Sequence, residues 1–273
     1  MSPVKTVGEV FDAIQQAKAG ASDFRTNFFP VSAKLQGWID HGELVSDVLE
    51  KTAFFFRRDR DFRHFYFCAP SLPALQDSLA AISALKTERI VTDLIGNETA
   101  LAELFASLEN AGFRRYLKLQ RMARTGPGDA LNSEAVDVQV GFAEKSDSQA
   151  ISRLLENIFD HFGEQIPALY EVEEAAANRQ ILIVNRDGLL AGLLFFETQG
   201  FASAVRFWAV GKRFHAAGIG SALMRHYLRA HSEVRRFTLW VKAGNQNAIQ
   251  KYGHYGYAAD GLVDHVLANE MIR

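Results

Sequence analysis

The first clear strand pattern in the chain runs from Thr52 to Ala69. Two apolar stretches, Ala53–Phe56 and Phe62–Cys68, flank the charged turn Arg57-Arg58-Asp59-Arg60-Asp61. Pro70-Ser71 then opens a helical pattern, with Leu72, Leu75, Leu79, Ile82 and Leu85 spaced by three and four. Arg89–Ile95 reads as a strand, Thr99–Leu108 as a helix, and Phe113–Met122, after Gly112, as another strand. The segment Arg124-Thr125-Gly126-Pro127-Gly128-Asp129 concentrates turn formers, carries no apolar period and marks a linker.

Beyond it, Val136–Phe142 alternates like a strand, and Ser146-Asp147 caps a helix that runs to about Asp160. A short helix over Tyr170–Asn178 precedes three strands, Gln180–Val184, Leu189–Glu197 and Ala202–Val210. The first two turn at Asn185-Arg186-Asp187-Gly188. A helix from Gly218 to His231, a strand Arg236–Val241, a helix Asn245–Tyr255 and a strand Tyr257–Leu267 complete this half. Both halves follow the order hairpin, helix, strand, helix, strand. Gly96-Asn97 with Ala100 and Gly112-Phe113 in one echo Gly244-Asn245 with Ala248 and Gly256-Tyr257 in the other. The pattern reads as an internal duplication of a mixed α/β unit, against two unrelated α/β domains with similar punctuation.

Composition narrows the function classes. Thirty basic residues against 32 acidic ones, a net charge of −2, give no electrostatic reason to expect nucleic acid or an anionic membrane as partner. Cys68 is the only cysteine and sits in an apolar run, so a buried, inert thiol is expected and no intrachain disulfide can form. The N-terminus lacks the apolar core of a secretory signal, and no stretch suits a membrane span. A soluble cytoplasmic protein is the expectation. The histidines show no metal-ligand spacing, so no metal is expected. Oligomeric state stays open.

The stretch with the most chemical content is Phe207-Trp208-Ala209-Val210-Gly211-Lys212-Arg213-Phe214-His215-Ala216-Ala217-Gly218-Ile219-Gly220-Ser221. An apolar strand enters a loop of small residues that opens an amphipathic helix. Such a turn offers free amide hydrogens and the positive end of a helix dipole to a phosphate or pyrophosphate. Ala216, Ala217, Gly218 and Gly220 leave the backbone unobstructed, and Ser221 adds a hydroxyl.

This segment resembles the coenzyme A loop of the GCN5-related N-acetyltransferase (GNAT) superfamily, a strand ending in valine followed by [Gln/Arg]-x-x-Gly-x-[Gly/Ala]. His215 replaces the first residue of that pattern. The second family motif, Asn-x-x-Ala-x-x-x-Tyr-x-x-x-Gly-[Phe/Tyr], is met at every fixed position by Asn245, Ala248, Tyr252, Gly256 and Tyr257. Two motifs in the right order are far more specific than one.

The resemblance implies an α/β architecture: a mixed central sheet flanked by helices, the acyl-CoA N-acyltransferase fold. Two such halves stand in tandem, residues 1–125 and 136–273, with 126–135 as linker. It implies acetyl-coenzyme A as acyl donor, its pyrophosphate on the His215–Ser221 loop and its pantetheine arm on the backbone of Ala209 and Val210. Asn245 is implied to contact the cofactor or hold the loop after its strand; a helix cap explains the same residue. Tyr252 is implied to be the acid that protonates the departing thiolate. No acid lies within Ala204–Val210, so Glu197 on the preceding strand is the candidate base. His161 and Glu164 fall where the family's substrate loop lies and either select the acceptor or are ordinary surface groups.

In the first half, Phe67-Cys68-Ala69-Pro70-Ser71-Leu72-Pro73 stands where the loop should be. It has no glycine, its prolines remove two amide donors, and Leu104 takes the tyrosine position. A copy without cofactor that shapes the acceptor cleft is expected. The function expected for the chain is acetyl transfer to a primary amine of a small molecule or amino sugar. Its alternatives are a longer acyl or aminoacyl donor, or a non-catalytic acyl-CoA sensor.

Overall fold

The computed structural model describes residues 1–82, 84–126, 138–215 and 217–272. They form two compact units that do not follow sequence order, Met1–Lys118 with Leu262–Arg273 and Leu119–Gly261.

The chain begins β1 (Ser2–Pro3), α1 (Val7–Lys18), β2 (Arg25–Thr26), α2 (Ser32–Asp40) and β3 (Leu44–Leu49). The hairpin β4 (Thr52–Asp59) and β5 (Phe62–Ala69) is next, then α3 (Leu72–Leu79), α4 (Ala84–Thr87), β6 (Ile90–Gly96), α5 (Ala102–Asn110) and β7 (Phe113–Thr125). After these come β8 (Gly141–Phe142), α6 (Ser148–Ile158), α7 (Leu169–Ala177), β9 (Ile181–Arg186), β10 (Leu189–Gln199) and β11 (Ala202–Val210). The chain closes with α8 (Ile219–Ala230), β12 (Arg236–Lys242), α9 (Gln246–His254) and β13 (Ala258–Asn269).

The first unit's sheet has the order β1-β3-β4-β5-β6-β13, antiparallel except for the parallel pair β5 and β6. The phenylalanine-rich hairpin is buried on both faces, which is why it reads as continuous apolar runs rather than an alternation. Phe54, Phe56, Phe65 and Phe67 pack with Leu75, Leu85 and Leu104 on the α3–α5 side. Phe55, Tyr66 and Cys68 pack with Val10, Ile14, Leu35 and Trp38 on the other. Each such aromatic contributes roughly 2 kcal/mol through burial.

The second unit's sheet has the order β7-β12-β11-β10-β9-β8, with β11 and β12 as its parallel pair. Leu194, Phe196, Val205 and Leu239 face α8 and α9; Leu193, Phe195, Phe207 and Ala209 face α6 and α7.

Each sheet is therefore finished by the other half of the sequence. β7, last strand of the first half, pairs with β12 from Arg236↔Thr125 to Lys242↔Leu119. Arg124 pins it there, donating to the carbonyl of Tyr255 and lying over the rings of Phe237 and Tyr257. β13, last strand of the second half, pairs with β6 from Val263↔Gly96 to Ala268↔Val91. Asn269 fixes its end, donating to the carbonyls of Leu85 and Glu88 and accepting from the amide of Ile90. The compact units thus follow strand pairing rather than sequence order.

Residues 1–51, unassigned from the pattern, hold α1, α2 and β1–β3. The helical period from Leu72 to Leu85 breaks into α3 and α4. Arg124 and Thr125, placed in the linker from composition, remain in β7 because the edge of β12 pairs with them. Most of the expected linker and the start of the expected strand Val136–Phe142 lie outside the described residues; Gly141–Phe142 is strand.

Candidate functional site

The parallel pair β11 and β12 is joined at four positions, Ala202↔Arg236 to Val205↔Leu239, and no further. Beyond them β11 stays on β10 as far as Gly192↔Val210, while β12 stays on β7 as far as Lys242↔Leu119. The strands therefore part. The cause lies in the register shift between Phe195 and Phe196, which leaves Arg206 as the extra residue of β11. A bulge bends its strand and re-aims the residues beyond it. Among the described residues no side chain bridges Phe207–Val210 to Trp240–Lys242 by a hydrogen bond.

At the open end, β11 turns into α8. Phe214 N–H closes a tight turn on the carbonyl of Gly211. His215 folds back, its Nε2 donating to the carbonyl of Val210 at 3.2 Å, so this side chain braces the loop. Ala216 lies outside the described residues. Gly218 caps α8 with φ +72°, a left-handed conformation that favours glycine, and its carbonyl takes the first helical bond, from Ala222. Among the described residues the amides of Ile219, Gly220 and Ser221 meet no protein acceptor. Ala217 packs on the core beneath. Ile219, Leu223, Met224 and Tyr227 bury the inner face of α8, and Tyr227 hydroxyl donates to Ser203 Oγ at 2.6 Å.

Gly220 stands close against Trp208. A Cβ there would stand 3.2 Å from the indole of Trp208, whose Nε1–H donates to the Gly220 carbonyl at 3.1 Å. Three amides with no acceptor among the described residues, at the positive end of a helix, suit a diphosphate.

Tyr252, on α9, is buried with its ring 5.4 Å from Trp208 and 6.1 Å from Tyr257. Burial pushes its phenol well above the ordinary tyrosine value, and the nearby charge of Glu164 pushes it further. The group stays protonated, as an acid must. Asn245 is the helix cap of α9, its side chain accepting from Ala248 N–H at 3.1 Å.

Glu164 sits in a built turn after α6. Asp160 Oδ1 accepts the amides of Phe162 and Gly163, and the amide of Asp160 donates to Glu164 Oε2 at 2.8 Å. Gln165 comes next with φ +43°, strain of the kind that gathers at functional loops. Lys242, the last residue of β12, reaches Glu164 at 2.8 Å. The His161 ring leans on Phe162 at 4.0 Å. Glu197 lies opposite Ala204, on the joined side of the splay, and accepts from Arg206 at 2.6 Å.

The loop amides, Trp208, Tyr252, Glu164 and Lys242 thus belong to the elements around the open end, whereas Glu197 lies below it. Sequence reasoning missed Lys242 and Trp208. Neither belongs to a fixed motif position, and what marks Lys242 is a partner distant in sequence. Among the described residues no group of three or more His, Cys, Asp or Glu gathers as for a metal, and no helix is long and apolar enough to cross a membrane.

Comparison with known proteins places this geometry. Solved structures share the fold. One is a tandem GNAT protein from the clavulanic acid biosynthesis pathway, 13% identical, covering 98% of this chain and 97% of its own at TM-score 0.64. Another is a GCN5-related N-acetyltransferase from Kribbella flavida, 15% identical, covering 88% and 93% at TM-score 0.60. A third, an acetyltransferase of the GNAT family from Colwellia psychrerythraea, is 11% identical and covers 98% of both chains at TM-score 0.56. No curated protein matches the sequence. Residues 149–257 match the family model described as "Acetyltransferase (GNAT) family". The matched residues form a GNAT-family domain that spans the splay, the loop and Tyr252.

Proposed function

We propose that the second unit moves an acetyl group from acetyl-coenzyme A to the primary amine of a small molecule. The observation that carries the reading is the open splay of β11 and β12, ending at three amides of α8 that meet no acceptor among the described residues. When bound, the acyl donor supplies an activated thioester carbonyl. The amides of Ile219, Gly220 and Ser221 hold its diphosphate, and the exposed edge of β11 up to Val210 aligns its pantetheine arm.

The acceptor must lose a proton before its nitrogen attacks. Of the two carboxylates singled out from the sequence, Glu164 is the one whose charge reaches Tyr252, and it takes that proton; Glu197 is committed to Arg206. As the new C–N bond forms and the C–S bond breaks, Tyr252 gives its phenol proton to the sulfur. Asn245 serves by holding the start of α9, and so the register of Tyr252, rather than by touching the donor.

The test has two stages. Titration calorimetry with acetyl-coenzyme A is expected to show one site per chain. Release of free thiol is then followed over a panel of primary amines. Binding without thiol release on any amine would sink the transferase reading.

A further inference from the structure

At the mouth of the splay stand one carboxylate and one ammonium, Glu164 and Lys242, 2.8 Å apart. Glu164 is not a free surface acid. The amide of Asp160 holds one of its oxygens, its side chain is only 14% exposed, and the carboxylate of Asp160 is turned to its own loop amides. Lys242 is anchored by the backbone pairing of β12, and its side chain is 34% exposed, so of the pair it is the more open to a ligand.

A simple alkylammonium reaching Glu164 must stand beside Lys242. Two cations so close repel one another in a partly buried site. That repulsion vanishes if the acceptor brings its own anion to Lys242.

We infer that the acceptor is zwitterionic, an amino acid-like molecule whose ammonium replaces Lys242 at Glu164 while its carboxylate takes the Lys242 ammonium. The exchange conserves charge, one ion pair opening as two form. It also aids the chemistry, since the Lys242 cation near the bound ammonium favours the neutral amine that attacks. The inference rests on the acetyl-transfer reading of the same site and adds the acceptor class.

Matched substrates test it. Thiol release is measured for several α-amino acids, each beside its carboxamide and its decarboxylated amine. The acids are expected to win in kcat/KM by about tenfold, the worth of one partly buried charge-assisted contact. Lys242→Met is expected to bring each acid and its carboxamide within about twofold of one another, and Lys242→Arg to restore most of the preference. Thiol release from carboxamides or simple amines as efficient as from the acids overturns the zwitterion and leaves acetyl transfer standing. Silence across the whole panel overturns both.

Discussion

In the first unit β5 and β6 are joined only at Arg63↔Ile90 and His64↔Val91 before they separate. In the second, β11 and β12 separate after Val205↔Leu239. What fills the two gaps differs. Four and five residues past the last pair, Cys68 and Ala69 of the first unit are paired by β2, with Thr26 and Arg25. The corresponding residues of the second unit are Ala209 and Val210.

Asn27 completes the closure of the first gap. Its amide nitrogen donates to the carbonyls of Phe65 and Asp93 and to Thr92 Oγ, and its oxygen accepts from the amide of Phe67. By the same count, the β5 groups it satisfies correspond to the carbonyl of Arg206 and the amide of Trp208. The first unit spends its own backbone where the second leaves an edge available to a ligand. Its next helix, α3, is capped by Ser71, which accepts from Ala74 N–H, and carries a proline in the first turn, so its end offers fewer donors. Similar strand pairs leave a crevice open or closed according to what lies in it.

The change expected to do most damage is Asn27→Ala, which strands the amide of Phe67 in the interior. Urea unfolding should report a loss of about 3 kcal/mol. Calorimetry on that variant should show no second acetyl-coenzyme A site. A second site appearing would mean that only the plug distinguishes the two crevices. Next in size, Tyr252→Phe should lower turnover about a hundredfold, with the acetyl-coenzyme A dissociation constant nearly unmoved. Because burial and Glu164 raise this phenol, wild-type turnover should hold its alkaline plateau through the ordinary tyrosine value of 10.0, where a solvated phenol would ionise. The smallest effect is reserved for Gly220→Val, whose side chain must press against the Trp208 indole. Acetyl-coenzyme A binding should weaken about tenfold while the melting temperature falls little.

Much of this contrast was legible in the chain. Gly218, Gly220 and Tyr252 are tied to local geometry and to fixed spacings, and the two-sided burial of Phe54–Phe56 is written as an unbroken apolar run. The proline-rich stretch after Cys68 marked a helix start with fewer amide donors than the turn at Gly218. What filled the first unit's crevice was not announced, because a strand of two residues and one asparagine leave no period. Thr6 with Glu9 three residues on did mark the start of α1, where Thr6 accepts from the Glu9 amide, and could have been read. The pairing of Glu164 with Lys242 joins a loop to a strand end far away in sequence. No local pattern encodes it. The exchange of β7 and β13 escaped for a similar reason: an edge strand's alternation states which face is buried, not which neighbour it will meet.

That exchange bears on how the protein comes off the ribosome. β6 cannot receive its partner until β13, a full domain's length later in the chain, has emerged. The N-terminal portion must therefore wait, with one border of its sheet uncovered, through the synthesis of everything between. Deleting Val263–Ala268 should injure the unit that holds β6, which is made well before them.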